Sequence, residues 1–120
     1  MPIPIIDLFA GPGGLGEGFS SLRDHKRQPV FKIALSIEKD PIAHRTLMLR
    51  AVFRQLRGTK DIKHYYSYIR NEIDELTFRK IPAVAEAFSH AEKEARCLEL
   101  GKANEDSIDT EIRTALGNND

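Results

Sequence analysis

Residues 3–19 constrain the fold of this chain more than any other part of the sequence. They begin with an almost unbroken run of large apolar residues, which is typical of a parallel strand buried on both faces. Gly11, Gly13 and Gly14 follow, and glycine allows a positive φ and a close approach of the backbone to a ligand. A helix is predicted next, with its free N–H groups and the positive end of its dipole directed at the strand tip. This combination predicts a site for a polar, nucleotide-like small molecule.

The apolar pattern further along the chain predicts an α/β fold. Two strands and the helix between them form one βαβ unit with parallel strands, at residues 3–9, 13–25 and 30–37. Asp40 is a good N-cap and Pro41 a good first residue for a second helix that runs to about Leu56. We expect the core-facing residues of the two helices to be Leu15, Phe19, Leu22, Ile42, Leu49, Val52, Phe53 and Leu56. The arginines of the second helix are interpreted as a solvated face, namely Arg45, Arg50, Arg54 and Arg57.

The character of the sequence changes after Arg57, since residues 58–116 contain no convincing strand. Helices are predicted at about residues 61–69, 71–78, 82–100 and 106–116. The third of these carries an apolar stripe, whose alanines should let a neighbouring helix pack closely; it consists of Val84, Phe88, Ala91, Ala95 and Leu98. The polar tail at residues 117–120 is predicted to fray. We therefore predict one domain, with a cofactor-binding βαβ unit at residues 1–57 and a helical insertion or extension at residues 58–120.

Composition narrows the class of protein. Lys plus Arg and Asp plus Glu each number 18, so the net charge is zero and gives no electrostatic case for nucleic-acid binding by this stretch. Cys97 is the only cysteine, so no internal disulfide can form, which suits a reducing cytoplasm. The sequence has no apolar run long enough to span a bilayer and no signal peptide. We predict a cytoplasmic location and no membrane partner.

Glu38 follows the second predicted strand directly and is the second candidate for a site residue. In dinucleotide-type βαβ folds, an acidic residue at this place accepts hydrogen bonds from the ribose hydroxyls. A vicinal diol offers two donors, and a carboxylate offers two acceptor oxygens. The alternative is a surface glutamate near a helix start, where the helix dipole favours a negative charge. Together with the glycine turn, the pattern favours the ribose interpretation.

Two motifs bear on which ribose-containing ligand is bound. The glycines match the NAD fingerprint Gly-x-Gly-x-x-Gly only in part. Residues 7–14, Asp-Leu-Phe-Ala-Gly-Pro-Gly-Gly, instead closely resemble the first motif of the C5-cytosine DNA methyltransferases. Ser-Ile-Glu-Lys-Asp at residues 36–40, with Ala43, resembles the second motif of that family. The resemblance covers residues 4–45 and implies a partial Rossmann-like fold of the S-adenosylmethionine-dependent methyltransferases.

The resemblance also implies a site for S-adenosylmethionine. Glu38 would hold the ribose, and the stem of Lys39 would cover the adenine. Asp7 would orient the loop or meet the methionine amine, directly or through water. The other implied contacts to the cofactor are Phe9, Ala10, Gly11, Gly13, Gly14 and Leu15. We predict no metal site.

The catalytic part of that family is absent from these 120 residues. Its nucleophile is the Cys of a Pro-Cys dipeptide, assisted by a Glu in a later Glu-Asn-Val motif. Cys97 instead lies between Arg96 and Leu98 on a predicted helix, where packing is its expected role. The resemblance therefore implies the N-terminal piece of a longer DNA (cytosine-5-)-methyltransferase, inactive by itself. The missing C-terminal part would bind double-stranded DNA, and the enzyme would belong to a restriction-modification system. In the whole enzyme a thiolate adds to C6 of a flipped cytosine, and C5 takes the methyl group.

Two other functions stay open at this point: a free-standing module that binds S-adenosylmethionine or a nucleotide, and a fragment of an NAD-linked oxidoreductase.

We also expect the chain to form a homodimer. A two-stranded sheet with apolar side chains on both faces cannot cover those faces or its edges with few helices. The surfaces expected to pair are the open sheet edge and the apolar stripe.

Overall fold

The computed structural model describes residues 1–117, with only the backbone for Ala103. Its elements in chain order are β1 (Ile3–Asp7), α1 (Gly14–Ser21), β2 (Phe31–Ile37), α2 (Pro41–Leu56), α3 (Ile62–Ile69), α4 (Glu75–Lys80), α5 (Pro82–Glu94), β3 (Ala95–Arg96) and α6 (Glu105–Leu116). A 3₁₀ turn at Lys102–Asn104 leads into α6. This element order confirms the predicted α/β class. The predicted fraying of residues 118–120 lies outside the described residues.

The strands form one parallel sheet in the order β1-β2-β3. The predicted βαβ unit is confirmed by the pairing of β1 with β2. The prediction that no strand follows residue 58 is wrong, because Ser36 and Ile37 of β2 pair with Ala95 and Arg96 of β3. The helix predicted over residues 82–100 accordingly ends at Glu94. A helical apolar spacing continues into this segment, but pairing with the free edge of β2 overrides it.

Both faces of β2 are covered by helices. Ile33 faces α1, where its Cδ1 lies 3.4 Å from the position of a Cβ on Gly16. Leu35 and Ile37 instead pack with Ile108 of α6. The two-sided burial predicted for β2 is thereby confirmed, and α6 covers a face that we expected to stay open.

A larger apolar cluster joins α2 to the helices that follow it. Its buried members are Ala51, Val52, Leu56, Phe78, Val84, Ala87, Phe88 and Ala91. Tyr68 stacks on Phe78 with ring centroids 4.6 Å apart. The predicted stripe on α5 is therefore turned inward, and its small alanines allow close packing with α2. It is not a surface for a homodimer, so that part of the dimer prediction is wrong.

The first helix packs differently from the prediction, and it ends at Ser21 rather than near residue 25. Leu15 and Leu22 were expected to face the core but are exposed, whereas Gly16 and Ser20 are buried. Phe19 is 36% exposed and packs edge-on against Phe31 of β2, with ring centroids 5.1 Å apart. The reason is close approach: only a small residue fits where α1 meets Ile33 of β2. Leu15 is left on the outer side of α1, and Phe19 reaches the sheet only at its margin, against Phe31.

The second helix begins where predicted, because Asp40 accepts a hydrogen bond from the backbone N–H of Ile42 at 3.0 Å and Pro41 follows it. Ile42 itself is exposed, contrary to prediction. His44, two residues further round the helix, makes the contact with β3, with 2.9 Å between its Nε2 and the carbonyl oxygen of Ala95. Within residues 1–117, no helix combines the length and apolar character needed to cross a membrane.

The helix predicted at residues 71–78 begins later in the structure, at Glu75. Asp74 provides the N-cap, since its carboxylate accepts a hydrogen bond from the backbone N–H of Thr77 at 2.7 Å.

Candidate cofactor-binding loop

The turn between β1 and α1 is attached to the end of β2 by its backbone. The N–H of Ala10 donates to the carbonyl of Ile37 at 3.0 Å, and the N–H of Gly13 donates to the carbonyl of Ala10 at 3.1 Å. Among residues 1–117, no side chain caps the start of α1. The N–H groups of its first turn therefore face the carboxyl edge of the sheet without a side-chain partner, as a site for a polar ligand requires.

Glu38 closes this turn from the neighbouring strand. Its Oε2 accepts from the N–H of Gly11 at 2.7 Å, and its Oε1 accepts from the N–H of Asp40 at 3.1 Å. These backbone hydrogen bonds hold the pKa of the Glu38 carboxyl below its usual value, so the group is ionised at neutral pH. A carboxylate has about four acceptor positions, so this arrangement leaves room for further donors.

Asp7 lies at the end of β1 and adds a second carboxyl group to the site. Its pKa is raised, mainly by burial and also by the negative charge of Glu38. In the described part of the chain, its side chain makes no hydrogen bond. A positively charged group placed beside Asp7 and Glu38 would be stabilised by both carboxylates.

The structure requires glycine at the positions of this turn for different reasons. Gly11 and Gly13 have φ of 57° and 97°, as predicted. A Cβ on Gly13 would lie 3.0 Å from Cδ1 of Leu47 and 3.2 Å from Cδ of Arg50. Gly14, in contrast, has ordinary helical backbone and open space around it. Packing within the chain therefore explains Gly13 but does not explain Gly14.

This difference gives a paired prediction. Gly13→Ala should lower the free energy of unfolding by about 1–2 kcal/mol for the positive φ alone, with a further loss from the contact with Leu47. Gly14→Ala should raise it by about 0.4–1 kcal/mol, because alanine restricts the unfolded chain. Urea denaturation of both variants measures the two effects. Equal changes in the same direction would contradict the assigned backbone roles.

A small hollow of about 60 Å³ lies beside Glu38, and its walls come from three strand ends. The lining residues are Leu8, Phe9, Ile37, Glu38, Lys39, Leu98 and Leu100. The structure thus brings the predicted residues Phe9 and Lys39 to Glu38. Leu98 and Leu100 were not predicted as wall residues, because the helical apolar spacing predicts a helix for their segment. The apolar walls of this hollow lie next to the Glu38 carboxylate.

Leu15 and Cys97 lie in surroundings that differ from those predicted. Leu15 is 67% exposed on α1 and does not line the hollow. Cys97 follows β3 instead of lying on a helix, and it is exposed rather than packed. Its thiol donates to the carbonyl of Lys39 at 3.6 Å.

Arg54 fixes α1, and hence the glycine turn, to the rest of the chain. Its two terminal nitrogens bind Glu17 of α1 at 2.6 Å and Glu94 of α5 at 2.5 Å. The Arg54 side chain is 10% exposed, so its assignment to a solvated face is wrong. Arg57 adds a hydrogen bond to the carbonyl of Ser20 at 3.1 Å. These contacts add to the packing of Phe19 on Phe31 in attaching α1 to the rest of the chain.

Comparison with known proteins adds one relative. A stretch of 66 residues, 55% of this chain, is 41% identical to the Type II methyltransferase M.Bpa9945I of Bacillus paralicheniformis. The chain is similar to a methyltransferase. The matched stretch covers 13% of that protein, so the similarity concerns a small part of its length. No family model matches the chain, and no solved structure matches it.

Proposed function

We propose that this chain is the cofactor-binding part of a DNA (cytosine-5-)-methyltransferase of a restriction-modification system and that it binds S-adenosylmethionine. The observation that carries the proposal is the bond between Glu38 and the N–H of Gly11, which joins the two motifs at one site. The similarity to a Type II methyltransferase supports the reaction class. Cytosine C5 as the methyl acceptor comes from the resemblance of the two motifs.

The charges of the site favour this cofactor over NAD. In a dinucleotide site the glycine-turn N–H groups and the helix N-terminus bind a pyrophosphate. Here the Gly11 N–H is already bonded to the Glu38 carboxylate, and Asp7 adds a second carboxyl group nearby. Dinucleotide sites also carry an acidic residue at the position of Glu38, so Asp7 is the discriminating group. Its carboxyl group repels a pyrophosphate but attracts the ammonium and sulfonium charges of S-adenosylmethionine.

The residues present fit that cofactor. Glu38 would accept the ribose hydroxyls, Asp7 would meet the methionine amine, and the first turn of α1 would donate N–H groups to the methionine carboxylate. The hollow with Phe9, Lys39, Leu98 and Leu100 would receive the adenine. Ala10, Gly11, Gly13, Gly14 and Leu15 would contact the cofactor outside this hollow. When bound, the cofactor supplies an electrophilic methyl group, and the role of this chain is to hold and orient it.

Calorimetric titration of the chain with S-adenosylhomocysteine and, separately, with NADH tests the proposed function. We expect saturable binding of S-adenosylhomocysteine and none of NADH. Binding of NADH alone would favour the oxidoreductase interpretation, and absence of both would contradict a cofactor site in this chain.

These 120 residues are expected not to methylate DNA by themselves. Cys97 is their only cysteine, no proline precedes it, and it lies beside the backbone of Lys39. Double-stranded DNA would instead be bound by other parts of the proposed enzyme. The assay is transfer of tritium from labelled S-adenosylmethionine to cytosine-containing duplex DNA. Transfer that disappears in Glu38→Ala would show that the chain is catalytically complete and that the prediction is wrong.

We also propose that the isolated chain forms a homodimer through the outer edge of β1. The proposed location of the protein is the cytoplasm. In the described residues this edge has no strand partner, and Ile3 of β1 is 54% exposed. Sedimentation at rising micromolar concentration should show a monomer–dimer equilibrium. An ideal monomer throughout that range would exclude the dimer.

A further inference from the structure

A second concave site lies at the edge of the sheet opposite the glycine turn. The strands are parallel, so the starts of β1 and β2 share one edge, and the ends of α1 and α2 reach the same edge. A hollow of about 530 Å³ opens there. Pro2, Pro29 and Phe31 form part of its wall at the strand starts. This volume lies in the range of small-molecule sites.

The charged residues of this hollow are strongly unbalanced. Arg23, Lys32, Arg54 and Arg57 line it, and Glu94 is the one carboxylate among its described lining residues. Arg54 is neutralised by its two ion pairs, which include Glu94. The other three cations form no ion pair within the described residues. The whole chain is neutral, but this surface is locally basic.

Mutual repulsion of these cations is visible at Arg57. The pKa of its guanidinium is lowered mainly by burial and then by the positive charges of Arg23 and Arg54, against the opposing effect of the Glu17 carboxylate. Its hydrogen bond to the carbonyl of Ser20 helps to cap α1, where a helix C-terminus favours a cation. Capping explains Arg57. The side chains of Arg23 and Lys32 make no hydrogen bond in the described chain, and Lys32 acts on Glu94 only through its charge, which lowers the pKa of that carboxyl.

We propose that this hollow binds a small anion with at least two phosphate groups. Arginine forms paired hydrogen bonds with phosphate oxygens, and three unpaired cations match the charge of a diphosphate. Arg23 and Lys32 are exposed at their tips, but both line the same concave space as Arg57, which favours a small molecule over the backbone of a nucleic acid. The site is separate from the glycine turn and does not depend on the proposed function.

Inorganic pyrophosphate is a suitable probe, titrated into the chain by calorimetry at fixed ionic strength. We expect saturable binding, roughly tenfold weaker in Arg23→Gln and in Lys32→Gln, because each removes a charge-assisted contact. Lys63→Gln removes the same charge from an exposed position on α3 and should leave the affinity unchanged. Saturating S-adenosylhomocysteine should also leave it unchanged.

Three results would overturn the proposal. They are the absence of saturable pyrophosphate binding, an equal loss of affinity in Lys63→Gln, and displacement of pyrophosphate by S-adenosylhomocysteine. Duplex DNA serves as the comparison ligand. If DNA binds with the same dependence on Arg23 and Lys32 while pyrophosphate does not, the occupant is a nucleic acid and the small-anion site is excluded. Exposed side chains are changed in each variant, and circular dichroism verifies that the fold is kept.

Discussion

Arg54→Met is expected to lower the free energy of unfolding by roughly 3–5 kcal/mol, the usual cost of removing one partner from a buried ion pair. Arg54 is 10% exposed, Glu94 13% and Glu17 24%, so two carboxylates would be left in a poorly solvated place without their cation. Methionine fills similar space and therefore isolates the loss of charge. Urea denaturation at neutral pH measures the effect.

Arg45→Met is the matched control. Arg45 lies on the same helix and pairs with Glu75 at 2.8 Å, but its side chain is 70% exposed. An exposed pair of this kind contributes about 0–1 kcal/mol. Similar losses in the two variants would contradict a special role for Arg54.

The loss in Arg54→Met should depend on pH in a defined direction. Even beside Arg54, burial raises the pKa of Glu94 above its usual value of 4.5. A carboxyl whose folded pKa is raised favours the folded state when protonated, and that contribution disappears as pH rises through the folded pKa. Removing Arg54 raises this pKa further, so the deficit relative to wild type should shrink at acidic pH. A deficit that grows as the pH falls from neutral to 4.5 would contradict this account.

Glu38→Ala is expected to reduce affinity for S-adenosylhomocysteine at least about tenfold, because charge-assisted hydrogen bonds are lost. The substitution removes the proposed contacts between the Glu38 carboxylate and the ribose. It also removes the acceptor of the Gly11 and Asp40 N–H groups. Glu38→Gln keeps one acceptor oxygen and should give an intermediate affinity. Glu86→Ala removes the same charge from the exposed side of α5 and should bind like wild type. Calorimetry of the four proteins is the measurement, and unchanged affinity in Glu38→Ala would refute the assigned role.

Much of the fold near the site could be predicted because local and tertiary preferences agree there. The apolar runs of β1 and β2, the glycine turn and the Asp40–Pro41 helix start each have strong local signals, and all three are present. The contact between Gly11 and Glu38 follows from parallel strands ending at one edge. Backbone geometry that depends only on neighbouring residues was thus accessible from the sequence.

The remaining features depend on contacts that no local pattern encodes. β3 exists because β2 has a free edge, although Ala95 and Leu98 fit a helical period. Gly16 and Ser20 face the sheet because α1 approaches it closely, which reverses the expected inner side of that helix. Arg54 is buried by two glutamates from distant segments, Glu17 and Glu94. Zero net charge likewise gave no sign that Arg23, Lys32 and Arg57 share one hollow.

The central claim is that the glycine turn and Glu38 form the cofactor site. Amide chemical-shift mapping of the ¹⁵N-labelled chain with S-adenosylhomocysteine tests it most directly. The largest changes should occur at Gly11, Gly13, Gly14, Glu38 and Lys39, with smaller ones at Leu98 and Leu100 and none at Arg23 or Lys32. Saturable changes confined to other surfaces, or no change at the turn at saturating ligand, would contradict the account.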